Sequence, residues 1–356
     1  MTDKKYIISL ESLGFGPEFE VFKAEIGEQN LARVIAEHKE RYIVKNENGE
    51  YIAEVIGNLR FSAHSRFDFP SVGDWVSISV YEGGKAFIHR IANRKNALKR
   101  QAVGKDGEEQ IIAANINYAF VVEAVNRDFN INRFQRFLTI CYEADIEPIL
   151  ILNKIDLIGK DKLSELSKLI SSRIPNVDLI TTSCYDSSGI SALREAIQIG
   201  KTYCFLGSSG VGKSTLVNRL SGAVMMQTNS VSETSDRGKH TTSHRHLVVL
   251  KEGGLLIDNP GMREVGIANA QMGLESSFQH ITRLSETCHF KDCAHRHEKG
   301  CAVLKALENG EIGKDNYQNY LKMQRETEHF EASELDRKQK GKKLSKLIKH
   351  VNNRRT

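Results

Sequence analysis

Residues 207–214 read GSSGVGKS, which matches the spacing GxxxxGKS. Glycines let successive backbone N–H groups turn toward a phosphate chain, and the N-terminus of a following helix adds its dipole. We expect Lys213 to contact the β- and γ-phosphates as a catalytic group and Ser214 to ligate Mg²⁺. The predicted phosphate-binding residues are Gly207, Ser208, Ser209, Gly210, Val211, Gly212, Lys213, Ser214 and Thr215.

A second motif, NKID at residues 153–156, follows the apolar run PILIL and indicates which base is bound. The Asp156 carboxylate can accept from both guanine N1–H and the exocyclic amine, a donor pair that adenine lacks. Residues 182–184, which end the next predicted strand, resemble the SA-type loop whose backbone N–H donates to guanine O6, with Cys184 where alanine is usual. The predicted base-binding residues are Asn153, Lys154, Asp156, Ser183 and Cys184.

The sequence DNPG at residues 258–261 fits the pattern DxxG and follows another apolar run. Asp258 is expected to hold Mg²⁺ through a water molecule. The Gly261 N–H is expected to contact the γ-phosphate and so to take part in catalysis.

The polar stretch 230–245 lies between these motifs and is predicted to be the first switch segment. One threonine in it should close on Mg²⁺ and the γ-phosphate. Thr241 and Thr242 are both candidates, and we favour Thr241. Met262 stands where many GTPases have a water-orienting glutamine, and methionine cannot polarise water. His240 is the nearest candidate for that role in the sequence, with a solvent-exposed loop residue as the alternative.

Three cysteines and several histidines fall within residues 288–301. In a chain without signs of secretion, such a cluster indicates a metal rather than disulfides. Three thiolates and one imidazole suit tetrahedral Zn²⁺, and four protein ligands leave no open position, so the site would be structural. On spacing alone, His289, His295 and His297 compete for the imidazole position.

The elements that position these residues change character along the chain. Residues 41–44 and 51–55 predict a hairpin around Gly49, and 73–80 and 86–91 predict two more short strands. Strands at this spacing are typical of a small barrel. Counting strands does not separate an OB-like barrel from an SH3-like one.

From about residue 111, apolar strands alternate with helical patterns. The predicted strands are 119–125, 148–152, 177–183 and 202–207, and the helices include 133–144 and 191–197. This alternation predicts a parallel sheet covered on both faces. Residues 246–250 and 254–258 predict antiparallel neighbours, and helices follow after about residue 270.

The motifs occur in an unusual order, because the base motif precedes the phosphate loop and DxxG in the chain. GTPases ordinarily begin with the phosphate loop. A circular permutation preserves the place of each strand, since the termini of such domains lie close together at the surface.

The composition fits a globular protein with two or three domains. The 356 residues include 50 Lys and Arg against 45 Asp and Glu, and 40% are hydrophobic. No run of 18 apolar residues occurs, and the N-terminus lacks a signal-peptide pattern, so we expect a cytoplasmic protein with no membrane partner. Residues 337–356 carry nine Lys and Arg and no acid, which favours a polyanionic partner.

The combined motifs closely resemble the RsgA (YjeQ/YloQ) family of circularly permuted GTPases. The likeness covers about residues 30–330 and includes VGDWV at 72–76, EQIIAAN at 109–115 and RGKHTT at 237–242, beside the motifs above. Asn117, Asn259 and Lys299 depart from the family pattern, but none is an inferred phosphate or zinc ligand.

The resemblance implies a multidomain fold: an N-terminal OB-type β-barrel, a circularly permuted α/β P-loop GTPase domain and a C-terminal helical zinc-binding domain. We expect an extension over 1–30, the barrel over 31–100, the GTPase domain over 101–270, and the zinc-binding domain with its basic tail over 271–356. It also implies that the zinc ligands are Cys288, Cys293, His295 and Cys301.

The implied function is GTP hydrolysis stimulated by the small (30S) ribosomal subunit during its late maturation. The expected partners are GTP and GDP with Mg²⁺, and the small subunit with its 16S rRNA, bound by a monomer. A non-catalytic RNA-binding module gated by nucleotide is the main alternative. A P-loop kinase is disfavoured by NKID.

Overall fold

The computed structural model describes residues 9–27, 30–38, 41–63, 65–101, 109–126, 129–185, 187–222, 245–258 and 270–329. The chain forms two compact units. The first contains residues 1–137 and 144–265, and the second contains residues 138–143 and 266–356.

The strands all belong to the first unit. They are β1 (Leu31–His38), β2 (Arg41–Asn46), β3 (Gly49–Val55), β4 (Trp75–Tyr81), β5 (Lys85–Ile91), β6 (Ala97–Gln101), β7 (Glu109–Ala114), β8 (Tyr118–Ala124), β9 (Glu147–Asn153), β10 (Leu179–Thr182), β11 (Thr202–Leu206), β12 (Arg245–Val249) and β13 (Leu255–Asp258).

The helices are α1 (Glu20–Ile26), α2 (Gly57–Ser62), α3 (Ile131–Glu143), α4 (Lys160–Arg173), α5 (Ser187–Glu195), α6 (Lys213–Ser221), α7 (Gln271–Ser277), α8 (Gln279–Ser285) and α9 (Ala302–Glu308). Residues 314–329 are also helical. No helix among the described residues is both long and apolar enough to cross a membrane.

Five strands close into the predicted barrel, in the order β1-β2-β3-β5-β4 and back to β1. The β2–β3 hairpin confirms the turn predicted around Gly49, which pairs with Asn46. The parallel pairing of β3 with β5 gives the strand order of an OB fold, so the structure decides between the two barrel types. Alternate residues such as Val44, Ala53 and Ile88 form the barrel core.

The strands of the phosphate-binding region form a parallel sheet in the order β10-β9-β8-β11-β13, which confirms the predicted alternation. Its apolar residues pack against α5 and α6 through Leu193, Leu216 and Leu220. β12 runs antiparallel to β13, as predicted.

The barrel and this sheet are one hydrogen-bonded surface of eleven strands, because β12 also pairs with β1 of the barrel. Ala36 pairs with His246, and Glu37 pairs with Arg245. The sequence analysis assigned no strand to residues 31–38 and did not anticipate this junction.

A buried arginine joins four parts of the first unit. Arg33 donates to the carbonyls of Leu13 at 2.5 Å, Gly73 at 3.1 Å and Asn115 at 3.2 Å, and to Thr202 Oγ1 at 3.0 Å. These partners lie in the N-terminal segment, the barrel, the segment after β7 and the start of β11. The motifs at 72–76 and 109–115 therefore meet at this residue.

Gly73 is required at this junction by its backbone conformation and by its surroundings. Its φ is +97°, and a Cβ there would lie 2.1 Å from the Ala114 carbonyl oxygen. The next residue, Asp74, accepts from the Arg94 guanidinium and from the Ser71 backbone N–H. These contacts fix the chain reversal that leads into β4.

The N-terminal segment is part of the barrel's packing, although its sequence suggested no role. Leu10, Leu13 and Phe19 are buried against Trp75, whose side chain is fully enclosed. Phe15 meets the Trp75 ring edge-on, with centroids 5.4 Å apart. This segment supplies apolar contacts that the five strands alone do not provide.

The second unit is helical and includes the last six residues of α3. Gly273 of α7 donates its backbone N–H to Glu143 Oε2 at 2.9 Å, and a Cβ at Gly273 would lie 2.1 Å from the Thr139 carbonyl oxygen. Thr139 and Ser277 share a hydrogen bond of 2.5 Å between their hydroxyls. This close approach of α7 to the end of α3 is possible only with glycine at position 273.

Candidate functional site

The predicted phosphate loop lies between β11 and α6, where the sequence placed it. Gly207, Gly210 and Gly212 have φ of +144°, +79° and +102°, conformations that favour glycine. Lys213 begins α6, and its Nζ donates to the carbonyls of Gly207 at 2.6 Å and Ser208 at 2.5 Å. The lysine thus closes the loop on itself. Ser214 and Thr215 follow in the first turn of α6, half-buried.

The base motif is hydrogen-bonded directly to this loop. Asn153 ends β9, and its Nδ2 donates to the Val211 carbonyl at 2.8 Å while its Oδ1 accepts from Thr182 Oγ1 at 2.9 Å. Lys154, with φ of +63°, donates from Nζ to the Gly210 carbonyl at 2.7 Å. Gly212 permits this approach, since a Cβ there would lie 2.3 Å from Asn153 Nδ2. The structure therefore brings the two motifs together.

Asp156 is exposed, and Ser183 orients its carboxylate. Ser183 Oγ donates to Asp156 Oδ1 at 2.5 Å and accepts the Tyr185 backbone N–H at 3.1 Å. Cys184 is half-buried, and burial raises the pKa of its thiol. The carboxylate and the loop after β10 thus lie side by side, as binding of guanine requires.

A buried carboxylate that the sequence analysis missed lies beneath the phosphate loop. Glu123 of β8 is 1% exposed, and its Oε2 accepts from Arg133 Nη1 at 3.4 Å. Within the described part of the chain, its Oε1 has no hydrogen-bond partner. Burial raises the pKa of Glu123 to about 7, opposed by the charges of Arg133 and Lys213 and by the Ser208 hydroxyl. The only signal in the sequence is one acid in an apolar strand.

The predicted switch residues lie outside the described part of the chain. They are His240, Thr241, Thr242, Gly261 and Met262, together with the side chain of Asp258. The backbone of Asp258 ends β13, which runs parallel to β11 with Ile257 opposite Cys204. The carboxyl ends of these two strands share one sheet edge, so the DxxG motif begins beside the phosphate loop.

The second unit gathers the predicted metal ligands. One donor atom each from Cys288, Cys293, His295 and Cys301 lies within 4.8 Å of every other. His295 Nδ1 is 3.6 Å from Cys288 Sγ and 3.5 Å from Cys301 Sγ, and the two sulfurs are 3.9 Å apart. Sulfurs bound tetrahedrally at about 2.3 Å would be about 3.8 Å apart. The donor set and its spacing fit zinc, and the histidine grouped with the thiols is His295.

A carboxylate supports the loop that carries this histidine. Glu298 accepts from the backbone N–H of Ala294 at 3.0 Å, Arg296 at 2.7 Å and His297 at 2.9 Å. These hydrogen bonds lower the pKa of Glu298 to about 2. His295 has φ of +57°, and its carbonyl accepts from Tyr317 at 2.7 Å. The strained backbone at His295 is therefore held from both sides.

Backbone donors also point at two of the sulfurs. The Ala302 N–H donates to Cys288 Sγ and the Leu304 N–H donates to Cys301 Sγ, both at 3.4 Å. Such N–H···S contacts stabilise thiolates at metal sites. All six cysteines lie in the described part of the chain, and none forms a disulfide.

The chain is similar to known proteins along most of its length. The RsgA GTPase family model matches residues 91–268. The small ribosomal subunit biogenesis GTPase RsgA 1 of Bacteroides thetaiotaomicron is 38% identical over 324 residues, covering 91% of this chain and 90% of the relative. RsgA 2 of Listeria monocytogenes is 39% identical over 320 residues, covering 90% and 89%.

Two solved structures share the fold. YjeQ from Thermotoga maritima superposes with a TM-score of 0.62 and 27% identity, covering 83% of this chain and 96% of that one. YloQ, described as a circularly permuted GTPase, gives a TM-score of 0.62 at 24% identity, covering 83% and 94%. The chain has an OB barrel joined to a permuted phosphate-loop sheet, and it also has a Cys₃His cluster. Together with these matches, these features show that the chain belongs to the RsgA family of GTP-hydrolysing enzymes.

Proposed function

We propose that this GTPase binds the small ribosomal subunit, assists its late maturation, and hydrolyses GTP faster when the subunit is bound. The observation that carries the nucleotide part is the hydrogen bond between Asn153 and the Val211 carbonyl, which joins the base motif to the phosphate loop. The relatives' names support the ribosomal part.

In this proposal GTP and GDP bind along the edge formed by β9, β10 and β11. Asp156 accepts from guanine, and the backbone between Gly207 and Thr215 surrounds the phosphates. Binding would draw Lys213 away from its own loop toward the β- and γ-phosphates. Ser214 and Thr241, together with Asp258 through a water molecule, would hold Mg²⁺, which neutralises phosphate charge when bound. His240 and Gly261 would complete the catalytic group.

We propose that the Cys₃His cluster holds one structural Zn²⁺. Its four ligands would leave no position for substrate, so the ion stabilises the second unit rather than taking part in chemistry. We further propose a division into an extension (1–30), an OB barrel (31–100), a permuted GTPase domain (101–270) and a zinc-binding domain with its basic tail (271–356).

The proposed RNA partner is 16S rRNA, bound by a monomer in the cytoplasm. The outer face of the barrel exposes Tyr81 and Phe87, whose rings meet edge-on with centroids 5.0 Å apart. Exposed aromatic rings on OB strands offer stacking surfaces for unpaired bases. The basic tail, which lies outside the described residues, would add phosphate contacts.

The deciding experiment is multiple-turnover GTP hydrolysis with no subunits, purified small subunits or purified large subunits. The proposal expects stimulation by small subunits alone, and loss of all turnover in Lys213→Ala. Equal rates with both subunits would contradict the proposed partner. Nucleotide binding without turnover under every condition would favour the non-catalytic RNA-binding module.

A further inference from the structure

A cavity of about 480 Å³ opens on the barrel, within the first unit and on residues outside the proposed nucleotide site. This volume falls in the range of about 300–1,000 Å³ that is usual for small-molecule sites. Its lining includes Glu37, Tyr42, Arg60, Arg66, Phe69 and Gln110. The cavity thus combines aromatic surface with cations and hydrogen-bonding groups.

Arg245, itself largely buried, fixes one wall of this cavity. Its Nη1 donates to Glu37 Oε2 and to the Ile111 carbonyl, both at 3.1 Å. Glu37 and Ile111 both line the cavity. The pairing of β1 with β12 sets Glu37 directly opposite Arg245, so this wall is preformed.

The charges in the cavity favour an anionic ligand. The lining includes two cations, Arg60 and Arg66, both exposed at the surface, and one acid, Glu37, which pairs with Arg245. Guanidinium groups bind phosphate oxygens in a fork geometry.

The other lining groups suit a planar, polar ring. Phe69 is half-buried and lines the cavity with an aromatic ring, and Ser71 and Gln110 add polar side chains; Gln110 Oε1 accepts from Arg100 Nη2 at 3.3 Å. Stacking on an aromatic ring is tolerant of base identity, and edge contacts add selectivity. A phosphate beside a flat heterocycle is the chemistry of one nucleotide.

We propose that this cavity binds one unpaired nucleotide of a single-stranded RNA, with its base against Phe69 and its phosphate at Arg60 and Arg66. The inference rests on the proposed function in taking RNA as the partner. It goes further by assigning a discrete nucleotide subsite on the barrel, away from the residues proposed to bind GTP.

The test measures binding of fluorescein-labelled single-stranded RNA hexamers to the full chain, with saturating GDP occupying the GTPase site. The variants are Arg66→Gln and Phe69→Leu. Arg90→Gln serves as the matched control, because it removes a barrel cation that pairs with Glu25 outside the cavity. Thermal melts check that each variant keeps its fold.

The two variants should fail in different ways. Arg66→Gln should reduce the slope of log affinity against log salt by about 0.7, as expected when one phosphate contact on a single strand is lost. Phe69→Leu should weaken binding about fivefold or more with the slope unchanged, because stacking does not release counterions. Arg90→Gln should bind the hexamer with the affinity of the wild type, so it is the reference for the weaker binding of Phe69→Leu.

Three outcomes would overturn the assignment. Cavity variants that bind the hexamer as well as Arg90→Gln does would show that the cavity is not a nucleotide site. Tighter binding of duplex than of single strands would exclude an unpaired base. Nucleoside monophosphates that bind as tightly as the hexamer would identify a free nucleotide as the ligand.

Hydrolysis with small subunits, measured on the same preparations, separates this inference from the proposed function. If small subunits do not stimulate GTP hydrolysis by the wild-type protein, the proposed function is refuted, whether or not the RNA hexamers bind. A stimulated wild type whose cavity variants bind RNA normally refutes the cavity assignment alone.

Discussion

Asn153 and Val211 are 58 residues apart in the chain, yet Asn153 Nδ2 donates a hydrogen bond of 2.8 Å to the Val211 carbonyl. Thr182 Oγ1 in turn donates to Asn153 Oδ1 at 2.9 Å, so both ends of the amide are used. A satisfied buried amide of this kind holds the phosphate loop in one shape. The first residue of NKID thus shapes the loop, while the side chain of Asp156 remains exposed.

Replacing Asp156 by asparagine should change base selectivity. An amide keeps one acceptor but presents an N–H to guanine's donors, whereas xanthine has a carbonyl in place of the exocyclic amine. We expect GDP affinity to fall at least about tenfold, since hydrogen bonds to charged groups contribute about 1.5–3 kcal/mol, and XDP affinity to rise. Titration of both nucleotides tests this.

Asp161→Asn is the matched control for that substitution, because Asp161 is an exposed acid in the first turn of α4. It should leave both affinities unchanged. An Asp156→Asn protein that still prefers GDP to the same degree would show that NKID does not bind the base.

Glu123 should couple nucleotide binding to proton uptake. Its pKa is already raised to about 7 by burial, and phosphates bound at the adjacent loop would raise it further. Between the free and bound pKa values, the complex holds a proton that the free protein lacks. Nucleotide affinity should therefore fall as pH rises above about 7.

Calorimetric titration of GDP at pH 7.5, in two buffers of different ionisation enthalpy, measures this proton directly. Glu123→Gln should take up fewer protons than the wild type and lose that part of the pH dependence. The variant also corrects for protons exchanged by the nucleotide itself. Identical proton uptake in the two proteins would exclude Glu123 as the source.

Removing the cluster histidine should release zinc and abolish the response to small subunits. His295→Gln takes away one of four grouped donors and leaves the hydrogen-bonded loop around Glu298 without its anchor. Nucleotide affinity should persist, because Asn153 and Lys213 belong to the other compact unit. Zinc content by atomic spectroscopy and stimulated hydrolysis are the two measurements.

His297→Gln is the control for the zinc prediction, since His297 is exposed and is not grouped with the thiols. It should retain zinc and stimulation. A zinc-free His295→Gln protein that is still fully stimulated by small subunits would show that the cluster has only a local structural role.

Arg33→Lys should destabilise the first unit despite keeping the charge. Lysine cannot supply the forked donors that reach Leu13, Gly73, Asn115 and Thr202 together, so buried carbonyls lose their partners. The expected loss is about 2–4 kcal/mol, seen as a lower thermal midpoint. Arg90→Lys, at an exposed ion pair, should change the midpoint little. Equal midpoints would contradict the role given to Arg33.

The sequence by itself predicted the residues of the two candidate sites and the type of most elements. The GSSGVGKS and NKID motifs can be recognised locally, because each is formed by a strand end, a turn and a helix start that are close together in the sequence. The cysteine spacing likewise limits which side chains can meet, and the apolar runs predicted β8, β9 and β11.

Only the tertiary structure decided how distant segments meet. Strand counting could not distinguish barrel types, because the parallel pairing of β3 with β5 depends on closure of the whole barrel. Nothing in the sequence of β1 shows that Glu37 faces Arg245 across 208 residues. The sequence of β8 did not predict that Glu123 would be buried beneath the phosphate loop. Burial and pairing across such separations are set by packing of the whole chain, which local patterns do not encode.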